Sequence, residues 1–269
     1  MVELAHTNDE ALFEDICLHA DNIQTRTITL NDLWQSLREG VADYGLKSGS
    51  IPLAILFYFL ASLLIILFSS GTELRYLAFP MVAGFNLLGP IVATGYFEMS
   101  RRREQGLPYG WRHCFGFIHT HSFAPILALS VAMMVLYVAW LYMAEIIYFG
   151  TFGDRQIESA AMFIDEIFGT RHGGALIAYG NFVGFLFAST ALAMSVVAFP
   201  LVLDKPVTSF TAIKVSVRAV WSNTFVMAVW GLVVVGLVAL GGLIFLIGLA
   251  VTLPILGHAT WHLYRKIVV

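Results

Sequence analysis

Six long apolar stretches alternate with polar segments along the chain: Ile51–Ser70, Leu77–Met99, Phe123–Phe149, Ala175–Leu203, Phe225–Leu240 and Leu243–Leu263. A hydrocarbon layer about 30 Å thick takes about 20 helical residues to cross, and most of these stretches reach that length. The segments between them carry a different period. From Thr29 to Tyr44, Leu30, Leu33, Trp34, Leu37 and Val41 recur at helical spacing opposite Asp32, Gln35, Ser36, Arg38 and Glu39. Thr29 or Asn31 can cap the start, with Asp32 in the first turn. This predicts a short amphipathic helix lying along a membrane interface. Two further segments have the same character: Pro108–Ile118, with Trp111, Phe115 and Ile118, and Pro206–Val220, with Phe210, Ile213, Val217 and Val220.

The pattern predicts an all-α fold, a polytopic membrane protein built as a six-transmembrane-helix bundle with interfacial amphipathic helices. Residues 1–28 read as a mobile cytoplasmic tail and 29–269 as the membrane domain. Each amphipathic segment leads into two spans, and late prolines recur at Pro90, Pro200 and Pro254. Three parallel helical-hairpin repeats are the expectation. A fourth amphipathic segment lies in the insertion Gly150–Gly174, with Ile157, Ala161, Ile164, Ile167 and Phe168 on one face. Small residues suggest close helix packing, including the pair Gly180 and Gly184 at G-x-x-x-G spacing.

Composition agrees: 58% of residues are hydrophobic and 12% charged, too few charges for a soluble chain of this size. The location of charge says more than the net value of −3. The N-terminal tail, the loops Met99–Ser122 and Leu203–Thr224 and the C-terminus hold 12 of the 15 Lys and Arg residues. Basic loops stay on the cytoplasmic side, so both termini are expected there, in an inner (cytoplasmic) membrane. Ile51–Ser70 then serves as targeting signal and anchor, since the first 50 residues are too polar for a cleavable signal. Cys17 and Cys114 fall on the reducing side, which argues against a structural disulfide. No basic block suggests nucleic acid as a partner.

Candidate chemistry inside the spans is sparse. Asn86 and Asn181 are the deepest polar residues; they suit interhelical hydrogen bonds or the lining of a small-solute, lipid or proton pathway. Glu145, among Trp140, Tyr142 and Tyr148, is the third candidate for such a pathway. Glu98 lies within helical reach of Arg101 and Arg102 and reads as a surface pair. His113, Cys114, His119 and His121 are donors suited to zinc or copper, but their spacing matches no strong metal signature. His258 and His262, beside Trp261 and Tyr264, read as an interfacial aromatic belt. Arg101, Arg102, Arg103 and Arg112 form a juxtamembrane patch for anionic phospholipid headgroups such as cardiolipin. No phosphate-binding loop, dinucleotide fingerprint or nucleophile elbow is present, and no cofactor or catalytic residue is expected.

Several segments resemble one family, bacterial integral-membrane proteins grouped as domain of unknown function 2189. They are Leu88-Gly89-Pro90 with Tyr96, Glu98 and Ser100-Arg101-Arg102, then Phe199 to Asp204, Trp221-Ser222-Asn223, and Pro254 to Arg265. The resemblance implies an inner-membrane protein of about six spans and brings no catalytic residues. The leading expectation is a non-catalytic structural or accessory subunit associating with lipids or with another integral membrane complex. The alternative is a transport pathway through Asn86, Asn181 and Glu145. A metal site at His113, His119 and His121 is the third reading.

Overall fold

The computed structural model describes residues 23–46, 63, 77–153, 160–243 and 245–269. Leu63 alone represents the expected first span, Ile51–Ser70, whose other residues lie outside this set together with nearly all of the 1–28 tail. Most of the described residues are helical, with one isolated antiparallel bridge between Thr25 and Val268. In chain order the helices are α1 (Leu30–Leu46), α2 (Ala78–Gly84), α3 (Gly89–Glu104), α4 (Phe123–Phe152), α5 (Ala160–Gly169), α6 (Arg171–Ser195), α7 (Ala198–Asp204), α8 (Ser209–Ser222), α9 (Thr224–Leu243) and α10 (Phe245–Ile267).

Four helical stretches among the described residues are long and apolar enough to cross a membrane: Ala78–Glu104, Phe123–Phe152, Arg171–Asp204 and Thr224–Leu243. They support a polytopic helical membrane protein. They establish neither six spans nor three repeats. The expected sixth span falls on α10, a helix with an internal proline and a basic last turn. The segment Pro108–Ile118 is not one amphipathic helix. It forms two short 3-10 turns, Trp111–His113 and Gly116–His119. Gly110, with φ 152°, sets the entry to the first.

Two of the long stretches are broken just before a proline, for one reason. A proline has no N–H to give to the carbonyl four residues earlier, and its ring crowds that carbonyl. Ahead of Pro90 the chain tightens into a 3-10 turn at Phe85–Leu88, and the Asn86 carbonyl accepts from Gly89 N–H instead. Ahead of Pro200 the helix opens between Ser195 and Ala198. There Ser216 Oγ of α8 accepts from Val197 N–H at 3.2 Å, so a neighbouring helix satisfies an N–H exposed by the break.

By contacts the chain divides into two compact units. The first comprises residues 1–55, 90–130 and 193–269. In it Thr29 and Asp32 start α1 by reciprocal bonding: Thr29 N–H donates to Asp32 Oδ2 at 2.7 Å, and Asp32 N–H to Thr29 Oγ1 at 3.3 Å. Those bonds, Thr29 N–H first, hold the Asp32 carboxyl below its ordinary value. Residues 24–28 run beside the C-terminus, with Arg26 N–H on Ile267 O at 2.9 Å and Val269 N–H on Gln24 O at 3.1 Å. Asn223 ties this segment to α8 by accepting from Ile28 N–H at 2.7 Å.

The helices α1 and α8 bury their small-residue faces. In α1 the buried positions are Leu33, Ser36, Gly40 and Asp43, while Leu30, Trp34 and Val41 are exposed. In α8 they are Ala212, Val215, Ser216 and Ala219, while Phe210, Val217 and Trp221 are exposed. Gly40 explains the first choice. A Cβ there would stand 2.7 Å from the Ala259 nitrogen and the Ile255 carbonyl oxygen of α10. Gly257 plays the same part for α3, against Tyr96.

The second unit comprises residues 56–89 and 131–192. Its anchor is Trp140, whose Nε1–H donates to Pro80 O at 2.8 Å and whose ring lies where a Cβ on Gly84 would have to go. Gly184 meets the same indole, whereas Gly180 faces open space. The G-x-x-x-G pair is therefore half of a tryptophan socket, not a backbone-to-backbone contact. In α5, Ile164 and Phe168 are exposed.

Replacing Gly40 by Ala should destabilise the protein by about 1–3 kcal/mol, because backbone atoms cannot step aside. Gly45, with nothing within 4 Å, is the control: Gly45→Ala should be neutral or stabilising by about 0.5–1 kcal/mol from helix propensity. Thermal unfolding in mild detergent reads both.

Candidate functional site

The largest concentration of buried polar groups lies in the first unit, where α1, α3 and α10 meet. Helical spacing delivers each partner. Glu39 and Asp43 are four apart on α1, and His258, His262 and Lys266 are each four apart on α10, so each set shares a face. Ser100, Arg103 and Glu104 come from the last turns of α3.

Asp43 is the hub, with its side chain 4% exposed. Its Oδ1 pairs with the Arg103 guanidinium. Its Oδ2 accepts from Ser100 Oγ–H at 2.8 Å and lies 3.1 Å from His262 Nε2. Ser100 Oγ is also 2.7 Å from His258 Nδ1. A hydroxyl has one proton, and a carboxylate paired with arginine has none to give. Ser100 therefore donates to Asp43 and accepts from His258 Nδ1–H. That assignment polarises the line His258, Ser100, Asp43 in one direction. The His258 ring is held edge-on by Tyr96, with centroids 5.5 Å apart.

Around this hub the remaining charges close on one another. Glu39 Oε2 meets Lys266 Nζ and lies 3.7 Å from His262 Nδ1. Glu104 accepts from Trp261 Nε1–H at 2.9 Å and pairs with Arg265 at 3.4 Å. Asp204 accepts from the Tyr264 hydroxyl at 2.6 Å and from Arg265 at 3.2 Å. Glu98 is gripped by Arg101 through two bonds of 2.8 and 3.0 Å, with Arg102 at 3.7 Å. Five carboxylates thus meet five permanent cations: Arg101, Arg102, Arg103, Arg265 and Lys266. The positive charge that a metal would bring is already supplied. Among the described residues no group of three or more His, Cys, Asp or Glu is placed to hold a metal ion.

The residues singled out from sequence fare differently. Asn86 and Asn181 are exposed, and each turns its amide back on its own helix, to Ala83 O at 3.1 Å and Ile177 O at 2.8 Å. Glu145 is half-buried on α4. His113 is half-buried, while His119 and His121 are exposed. Cys114 is buried, and burial pushes its thiol up to about 11 with Glu98 adding to the effect. Of the four arginines assigned to lipid headgroups, Arg101, Arg102 and Arg103 are bound to internal carboxylates, and Arg112 lies over the Trp111 ring at 5.5 Å. Two sequence readings need correction. Glu98 forms its pairs while buried, not on a helix surface, and His258 with His262 belongs to the polar cluster, not to an aromatic belt. The signal was present as two complementary i, i+4 sets, acids on α1 and bases on α10, but finding it requires knowing that these helices touch.

Comparison with known proteins adds one fact. Residues 78–204 match the family described as predicted integral membrane protein (DUF2189). The resemblance drawn from the sequence holds over that stretch. The DUF2189 match contains Leu88-Gly89-Pro90, Glu98, Ser100 to Arg102 and Phe199 to Asp204, and ends before the Pro254–Arg265 motif. That motif supplies His258, Trp261, His262, Tyr264 and Arg265 to the cluster. No curated protein and no solved structure matches the chain.

Asp43→Asn keeps the shape of the hub and removes its charge. Breaking a buried ion pair costs about 3–5 kcal/mol, but Arg103 keeps partial access to solvent, so we expect about 2 kcal/mol. A lowered unfolding temperature in mild detergent checks it; Asp32→Asn, at the helix start, should lower it less.

Proposed function

We propose that this DUF2189-family protein is a non-catalytic, structural or accessory component of a membrane assembly, held in an inner membrane with both termini in the cytoplasm. The observation that carries the reading is the closure of the polar cluster. Its carboxylates are answered by cations of the same chain, and those of Glu39, Asp43 and Glu104 are spent on joining α1, α3 and α10. A catalytic or solute site needs at least one polar group turned toward a bound molecule. The basic loops set the orientation by remaining on the cytoplasmic side.

A proton pathway is the second reading, and one observation favours it. The bonded line His258, Ser100, Asp43, His262 runs from a side chain 3% exposed to one 16% exposed. Buried titratable chains of this kind carry protons in membrane proteins. The first reading is preferred because Arg103 holds Asp43, the one carboxylate within the line, and Lys266 holds Glu39 beside His262.

The two readings separate in one preparation. Protein solubilised gently from native membranes should retain integral-membrane partners in fixed ratio, and vesicles reconstituted with the purified chain should show no proton or solute flux. Flux abolished by Asp43→Asn or by substitution of Asn86, Asn181 or Glu145 would favour the pathway. Sidedness needs a better reporter than Cys114, which is buried and stays a thiol. A cysteine at exposed His121, in a chain with Cys17 and Cys114 replaced by serine, should react with an impermeant reagent only after the inner face is opened.

A further inference from the structure

We propose that two cation–aromatic pairs, Trp111 with Arg112 and Phe210 with Lys214, form the anionic-lipid contacts of this protein, in place of the Arg101–Arg103 run. The inference rests on reading the chain as membrane-embedded and names the lipid it would select.

Three observations carry it. First, Arg101 and Arg102 share Glu98 and Arg103 pairs with Asp43, so most of their charge is met inside the protein. Among the described residues Arg112 and Lys214 form no ion pair, and both are exposed. Second, each of these cations stands over an aromatic ring that is itself exposed. Arg112 is 5.5 Å from the centre of Trp111, which is 48% exposed, and Lys214 is 4.4 Å from that of Phe210, 65% exposed. A ring in the interfacial layer with a cation beside it matches an acyl chain topped by a phosphate. Third, each pair is followed along the chain by exposed apolar residues that run into a candidate span. Phe210 leads through Val217 and Trp221, the latter 83% exposed, to Phe225 and Leu232 of α9. Trp111 leads through Phe115 and Ile118 to Phe123 and Leu127 of α4. The occupant of a surface continuous with a membrane span is lipid, and the cations select an anionic headgroup.

The test uses the full chain reconstituted in phosphatidylcholine vesicles with spin-labelled phosphatidylglycerol or spin-labelled phosphatidylcholine as probe. The motionally restricted fraction of each label gives the relative association. The native protein should prefer phosphatidylglycerol, and each charge removed in Arg112→Gln/Lys214→Gln should lower the preference roughly fivefold. Trp111→Leu/Phe210→Leu, which keeps both cations, should lower it partially. Arg101→Gln should leave it unchanged in the fraction that elutes as folded protein. Soluble glycerol phosphate should not displace the labelled lipid, since it cannot cover the rings. An unchanged preference in Arg112→Gln/Lys214→Gln, its loss in folded Arg101→Gln, or displacement by glycerol phosphate would each overturn the proposal. If partners still co-purify with Arg112→Gln/Lys214→Gln while its preference is unchanged, this inference fails alone and the accessory reading stands.

Discussion

A carboxylate removed from water must be answered from within the protein, and Asp43 of α1 is answered from two other helices at once, α3 and α10. Arg103 neutralises it, Ser100 and His262 bond to its second oxygen, and His258 orients Ser100. Withdrawing Arg103 leaves the buried charge without its counterpart, and withdrawing Ser100 or His262 leaves one of its oxygens short of a hydrogen bond. The geometry of α1, α3 and α10 is fixed by that requirement more than by apolar burial. An ion cluster of this kind contributes modestly to net stability but strongly to register, because alternative packings strand a charge.

The same logic explains which faces are hidden. Inside a bilayer, large apolar side chains gain little by turning inward, since lipid is as apolar as the protein interior. Close approach and polar satisfaction decide the packing instead. Gly40 lets α1 touch the backbone of α10, Ser216 satisfies Val197 N–H, and Asn223 holds residues 26–28. Trp34, Phe210 and Trp221 are left to the outside. The buried face of each helix is thus offset from its apolar stripe, the two sharing Leu33 in α1.

This offset is also why only part of the fold was legible in the sequence. The long apolar helices follow from length and composition alone, and Thr29 and Asp32 marked the start of α1 by their chemistry. The amphipathic period of α1 and α8 is visible too, yet period does not say which face meets protein. The cluster joins residues as far apart as Asp43 and His262, and no local pattern ties them. His258 and His262 beside Trp261 therefore suggested an interface belt, and Glu98 beside Arg101 suggested an exposed pair. Asn86 and Asn181 drew attention because polar residues in apolar runs usually seek distant partners, but an asparagine amide can also bond its own helix, as both do here.

Hydrogen–deuterium exchange of the native, full chain tests most directly whether Asp43 makes α1 part of the folded body. With Asp43 locked to α3 and α10, amides across Leu30–Leu46 should be protected as strongly as those in the second half of α10 and should open together with them. Fast exchange throughout α1 while α10 remains protected would contradict the account, because it would mean that the helix rests on the membrane surface and that the buried carboxylate holds nothing in place.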